Sequence, residues 1–319
     1  MKGVMFVEQG QAEIIEEPAP ACRDDAMLLR CLYSGVSNGT ERSFLVGGNY
    51  GAGSPWPKRL SYQHVSEVVE CGRGITRYQP GDTVFSSTFP GHVEYLVVKE
   101  SDLVVRLPDA MDRIEATMLG VASVAYHDAR VGRVTDGDRA LVIGDGLIGQ
   151  FAAQAARLMG AHVTLSGHHE DRLGIARELG ADVVIDSTSD AGEAAIDAGA
   201  PYAVILECSG GDVLGRILGS EGKGPLVGRR SRARLVMVAG RHDVLYDFNA
   251  AGAAEIEVLH TNHFDQEELE AVLGHVSRGS IRVRPLIRDV VPFEDAPRIF
   301  DTMRDHPRQL LGTVFEMPS

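Results

Sequence analysis

The chain is 319 residues long, 44% hydrophobic and 24% charged, the composition of a folded globular protein with room for two domains. Its formal net charge of −14 opposes binding to a polyanion, so DNA, RNA and an anionic membrane face are excluded as expected partners. No apolar run approaches the ~18 residues of a membrane span, no signal-peptide layout is visible, and Cys22, Cys31, Cys71 and Cys208 form no C-x-x-C pair; these features predict a cytoplasmic protein with free, mostly buried thiols.

In chain order, the first ~120 residues read as β-rich. Val4–Val7 and Glu13–Ile15 flank Gln9-Gly10 as a hairpin, and Met27–Tyr33 is the next strand. Residues 38–59 are rich in Gly and Pro with little periodicity, and read either as an ordered loop over a site or as a surface connection. Strands are expected at Ser61–Glu70, at Thr83–Phe85 after the turn Pro80-Gly81-Asp82, and at His92–Val98. Helical spacing takes over at Ile114–Leu119 and Ser123–Arg130.

The stretch from Ala140 to His169 then reads strand, glycine turn, helix, strand. Gly144, Gly146 and Gly149 have the spacing G-x-G-x-x-G: one glycine for the sharp turn, one for close approach of a pyrophosphate, one for helix–strand packing. The free N–H groups near Leu147 and Ile148 would face the ligand's negative charge. At the end of the second strand, where an NAD-binding chain carries Asp or Glu, stands Gly167, followed by His168, His169 and Arg172. Loss of a carboxylate there, with cationic groups alongside, points to NADP first and NAD second. On that reading Gly167→Asp should weaken NADPH binding and improve NADH binding.

Further strands are expected at Val183–Ile185, Ala203–Glu207, Arg234–Ala239 and Glu255–Leu259, with a helix at Leu173–Leu179. Such alternation implies a doubly wound parallel α/β sheet, and ligands over strand ends nominate Ser209, Gly240 and Arg241 as further cofactor contacts. Beyond Asn262 the pattern is helix Gln266–Val276, strand Leu286–Val291, helix Glu294–Arg304 and strand Gly312–Phe315. Lys223, Arg229, Arg230, Arg232 and Arg234 form a basic run, read as a solvated helix face or as a phosphate or subunit contact.

The segments VECGRGITRYQPGDTVF (69–85), GDRALVIGDGLIGQ (137–150), ARELGADVVID (176–186), ILECSG (205–210) and PFEDAPRIF (292–300) together resemble the medium-chain dehydrogenase/reductase superfamily, relatives of zinc alcohol dehydrogenase, over essentially the whole chain. The resemblance implies a GroES-like β-rich catalytic domain (1–122), a six-stranded Rossmann domain (123–261), a C-terminal return to the first domain (262–319), a site in the cleft between them, and a homodimer or homotetramer. Departures from the family pattern carry information. The zinc-ligand cysteine position in YSGVSNGTE (33–41) holds Ser37, the His-Glu pair in LSYQHVSE (60–67) is replaced by Tyr62-Gln63, and MLGVASVAYHD (118–128) has Val121 in place of the third ligand. The structural zinc lobe is missing. Serine and valine do not replace thiolate or imidazole, so no metal is expected. The chain thus resembles a zinc-lacking branch near bacteriochlorophyllide hydroxyethyl dehydrogenases and sugar or cyclitol dehydrogenases.

Without a metal, a developing alkoxide needs hydrogen-bond donors, or the hydride must go to an activated C=C or C=N. Tyr62, Ser37, Asn38, Thr40, Glu41, His64 and His127 are the candidate donors, bases and proton carriers. Expected function is therefore zinc-independent NADP(H)-dependent hydride transfer to or from a carbonyl or alcohol group of a small or medium organic substrate. Two alternatives stay open: an enoyl or quinone-type reductase, and a catalytically silent or redox-neutral NADP(H)-binding protein.

Overall fold

The computed structural model describes residues 1–219 and 224–318, and the chain divides into two compact units. The first comprises Met1–Gly120, Asp265–Gly279 and the residues from Val283 on; the second comprises Val121–Phe264 with Ser280–Arg282. The predicted basic residue Lys223 lies outside the described residues.

The first unit pairs the hairpin Lys2–Glu8 with Gln11–Glu16 and builds a seven-stranded sheet. Its strands run in the order Ile287–Pro292, Gly312–Glu316, Met27–Gly35, His64–Cys71, Thr83–Ser86, Val104–Arg106, with Tyr95–Val98 pairing Met27–Gly35. Along Met27–Gly35 burial alternates at first, Met27, Leu29 and Cys31 pointing inward, as the two-residue period of a strand requires. Their side chains join Phe6, Phe300 and Phe315 in one core, with Phe6 and Phe300 edge to face at 5.0 Å. Each fully buried side chain of this size contributes ~1.5–3 kcal/mol. The C-terminal helix Ala296–Asp305 and strand Gly312–Glu316 close this core, so the late segment is integral to the first unit.

Two expectations are corrected here. Residues 38–59 are not merely loop: Asn38–Val46 forms a helix (α1), stopped by Gly47 in the left-handed conformation, and Asn49–Gly51 forms one 3-10 turn. The helix forms because Leu45 packs into the core and the Glu41 side chain, wholly buried, accepts the Ser37 N–H at the helix start. The second correction concerns His92, which precedes the paired strand Tyr95–Val98 and serves a buried polar cluster instead.

The second unit is a six-stranded, wholly parallel sheet: β1 (Arg139–Ile143), β2 (His162–Gly167), β3 (Val183–Asp186), β4 (Val204–Glu207), β5 (Arg234–Met237) and β6 (Glu257–His260), in the order 3-2-1-4-5-6. The order reverses between β1 and β4, so ligand-bearing loops gather at their carboxyl ends. Helix α2 (Leu147–Leu158) follows β1 and α3 (Glu170–Glu178) follows β2. Helices Asp190–Gly199, capped by Ser189, and Phe248–Ala254, capped by Asp247, are absent from the sequence reading; each is rich in Ala and Gly and carries a single large apolar residue. The described basic run is no helix face: Arg229-Arg230 is a turn, Arg230 and Arg232 have positive φ and approach Glu255, and Arg234 opens β5 with its guanidinium on Asp138. Among the described residues no helix is long and apolar enough to cross a membrane.

Candidate active site

In the first unit four of the positions nominated from the sequence, Ser37, Thr40, Glu41 and Tyr62, converge on a buried polar cluster. The Ser37 Oγ lies 2.9 Å from the Tyr62 hydroxyl, and Thr40 also hydrogen-bonds that hydroxyl. Tyr62 is 7% exposed; burial, first, and the Glu41 carboxylate, second, raise its pKa, against the opposing pull of Ser37 and Thr40. The phenol therefore stays neutral and able to donate. Glu41 accepts the Ser37 backbone N–H at 2.8 Å on one oxygen and faces His92 Nε2 at 2.9 Å on the other. His92 Nδ1 in turn meets Ser34 Oγ at 2.7 Å, and Glu41, His92 and Ser34 are all essentially inaccessible. His92 and Ser34 escaped the sequence reading, since nothing in a lone histidine before a strand reveals its partner.

The other nominated residues are placed differently. Asn38 donates to Leu311 O at 2.7 Å and leaves its side-chain carbonyl buried without a partner, so it anchors the start of α1 to the C-terminal segment. His64 points its Nε2 at Gly91 O, 2.9 Å away, and burial, with His92 adding to it, drives its pKa down to about 3. A ring that resists protonation so strongly is a poor proton carrier near neutrality. His127 belongs to the second unit, on the helix Leu119–Val131, near His263, whose pKa is lowered by burial first and by His127 second.

The His64 environment sets a pH dependence. Its folded pKa lies below its unfolded value near 6.5, so the unfolded chain binds the extra proton and stability falls as pH drops from about 6.5 towards 3. The slope contributed is at most ~1.4 kcal/mol per pH unit. Thermal melts of wild type and His64→Gln across that window should converge as pH falls, the variant lacking this component; parallel curves would show that His64 does not titrate on unfolding.

A catalytic zinc of the family kind does not fit this cluster. Ser37 and Tyr62 offer hydroxyls already bonded to each other, and the adjacent Gln63 offers an amide. Among the described residues the one group of three metal-capable side chains is Asp145, His168 and His169, which belongs to the second unit.

The second unit carries the glycine cradle. Gly144 has φ +116°, and its N–H donates to Ser166 O at 2.8 Å, laying the turn beside β2. A Cβ on Gly149 would come within 2.0 Å of Gly144 O, whereas one on Gly146 would meet nothing. Helix α2 starts at Gly146 with no side-chain cap, so the N–H groups of Leu147 and Ile148 lie in an uncapped first turn. These features fit a dinucleotide pyrophosphate.

At the adenosine end the expectation built on Gly167 changes. Asp145, the second residue of the glycine motif, turns its carboxylate to the end of β2, accepting His168 N–H at 2.7 Å and His169 N–H at 2.8 Å. His169 Nδ1 is 3.0 Å and Arg172 3.6 Å from its other oxygen. A Cβ on Gly167 would lie 2.5 Å from Asp145, so the Gly167→Asp exchange collides with an acid already in place and does not isolate cofactor choice.

Ser209 and Arg241, nominated as cofactor contacts, both bind Glu207 at the end of β4. This fully buried carboxylate takes the Ser209 N–H at 2.8 Å, the Ser209 hydroxyl, the Gly210 N–H at 3.1 Å and the Arg241 guanidinium. Arg241 also donates to Gly211 O and to Ala239 O, bridging the loops after β4 and β5 on either side of Gly240. Glu207 is absent from the sequence reading; an acid closing an otherwise apolar strand was its only trace there.

A β-rich unit and a doubly wound unit with a glycine cradle define the GroES-like plus Rossmann class. The family model described as "Zinc-binding dehydrogenase" matches residues 148–278. Sorbitol dehydrogenase 1 of Saccharomyces cerevisiae is 22% identical over 99% of this chain and 98% of its own length. Among solved structures, a protein described as a short chain alcohol dehydrogenase of Escherichia coli CFT073, complexed with NADH, superposes with a TM-score of 0.83 at 18% identity, covering 99% of both chains. A protein of Sinorhizobium meliloti 1021 described as a "putative zinc-binding dehydrogenase", bound to NADP, does so with a TM-score of 0.80 at 19% identity, covering 99% of this chain and 98% of that one. The chain is thus similar in sequence to zinc-type dehydrogenases and shares the fold of these alcohol dehydrogenase structures.

Proposed function

We propose that the chain is a zinc-independent oxidoreductase that uses a nicotinamide dinucleotide to interconvert a carbonyl and an alcohol on a small or medium organic substrate, polyols and sugar derivatives included. The observation that carries this reading is the buried Tyr62–Ser37–Thr40 hydroxyl cluster, in which Ser37 and Tyr62 stand at the positions that the sequence resemblance assigns to zinc ligands. When bound, the nicotinamide supplies or accepts hydride at C4. Tyr62, kept neutral by burial, donates a hydrogen bond to the substrate oxygen as charge grows on it, and gives the proton in reduction or recovers it in oxidation. Ser37 and Thr40 hold the phenol's other contacts. Glu41 fixes Ser37 through its backbone amide, and His92 fixes Glu41. In the second unit Gly144, Gly146, Leu147, Ile148 and Gly149 hold the pyrophosphate, while Ser209, Gly240 and Arg241 line the nicotinamide side.

Relatives described as dehydrogenases, and neighbours carrying NADH and NADP, support a nicotinamide cofactor. NADP(H) was the expectation from the bare strand end at Gly167, with NAD second; the Asp145 carboxylate bears on that choice. A homodimer or homotetramer is supported by the exposed apolar side chains Leu245 (81% exposed) and Phe248 (83% exposed) on one segment of the second unit, and a solution mass equal to one chain would overturn it. A cytoplasmic setting accords with the free thiols.

The function is tested by following nicotinamide absorbance with NADH and NADPH against a panel of polyols, sugar derivatives, ketones, enones and imines. Turnover of alcohols or ketones is the expected result. Turnover confined to enones or imines would establish the alternative reductase, and dinucleotide binding with no turnover on any of them would establish the silent one.

A further inference from the structure

We propose that Asp145, a residue of the glycine turn, is the carboxylate that selects the dinucleotide, and that it makes the chain prefer NAD(H) to NADP(H). The inference rests on the dinucleotide reading of the second unit. Its starting point is a substitution of position: β2 ends in a glycine, and the acid that the strand lacks arrives from the neighbouring turn. Gly167 makes room for it, because any side chain there would occupy the Asp145 Cβ and carboxylate. The Gly144 N–H bond to Ser166 O sets the turn close enough to β2 for the exchange.

The carboxylate is 3% exposed, and its Oδ1, bonded to His169 Nδ1 and 3.6 Å from Arg172, has acceptor capacity for a further donor. It takes the two backbone N–H groups that lead into α3, the His169 ring and the Arg172 guanidinium. Burial opposes its ionisation, yet the His169 hydrogen bond and the two backbone donors outweigh that and hold its pKa below the usual carboxylate value. Those donors are the groups a 2′-phosphate would need. Arg172, itself 8% exposed, faces Asp145 rather than open solvent. A second carboxylate stands alongside: Asp186 closes β3 in register with Gly167 and is close enough to Asp145 for the two charges to interact.

A 2′-phosphate, carrying close to two negative charges, would therefore displace Asp145 from its donors or sit against it, with Asp186 adding to the repulsion. A ribose 2′-hydroxyl meets no such conflict and can donate to a carboxylate. Gln150 ties the arrangement together, donating from one amide to Asp145 O and Arg172 O, so the turn and the start of α3 move as a unit.

The test is calorimetric binding, independent of any substrate. Wild type should bind NADH at least ~10-fold more tightly than NADPH, and ADP more tightly than 2′,5′-ADP by a similar factor. Asp145→Asn, which removes the charge and keeps the shape, should shift both ratios towards the phosphorylated ligand by ~10-fold or more; Asp145→Ala replaces it if the amide fails to fold. Tighter NADPH binding by wild type, or ratios unmoved by the substitution, would overturn the inference while leaving dinucleotide binding intact. Binding of neither dinucleotide would instead overturn the reading of the second unit on which it rests.

Discussion

Replacing Glu207 by glutamine is expected to lower stability by ~3–5 kcal/mol, the usual consequence of taking one partner from a buried ion pair. Glu207 is inaccessible at the end of the central strand β4, and four donors converge on it from the loops after β4 and β5. The amide keeps only part of that bonding and leaves the Arg241 guanidinium, 14% exposed, without its countercharge. Against a typical stability of ~5–15 kcal/mol the loss is large, and a two-state melt should move down by roughly 10 °C. The double variant Glu207→Gln with Arg241→Met should recover much of the loss, because the stranded cation is gone. Thermal melts of the three proteins check this; a single variant as stable as wild type would show that the pair contributes no net stability.

Tyr62→Phe is expected to reduce kcat/KM for carbonyl reduction by ~10²–10³-fold while leaving the melting temperature within a few degrees and dinucleotide affinity unchanged. The ring packs beside Phe89 with centroids 5.9 Å apart, and phenylalanine preserves that contact. Lost is the one proton in the Ser37–Tyr62–Thr40 cluster held on a phenol. Ser37→Ala should cost less, since it removes an orienting bond and leaves the donor. Full activity in Tyr62→Phe on a ketone would remove Tyr62 from the chemistry, and activity kept only on enones would favour hydride addition to C=C.

Periodic features of the fold were readable before the structure. The six strands of the parallel sheet and the GxGxxG turn announce themselves because apolar runs and glycine spacing are local signals. Ser37 and Tyr62 were nominated together on the family resemblance, although the bond between them was not legible. What stayed hidden was partnership across the chain. Asp145 looked like an incidental residue between two glycines, yet its bonds go to residues 23 and 24 positions further on. His92 finds Glu41 across 51 residues, and Glu207 finds Arg241 across 34. Helix α1 was hidden for a different reason: its sequence NGTERSFLV starts with poor helix formers, and its stability comes from buried Leu45 and Glu41 rather than from propensity.

The proposed reaction is run by hydroxyl donors in place of a metal. Its most direct test is the zinc content of the purified protein, measured alongside its turnover before and after prolonged treatment with a strong chelator. Far less than one zinc per chain, with turnover unchanged by chelation, is the predicted result. Close to one zinc per chain, with activity lost on chelation and restored by zinc alone, would contradict it.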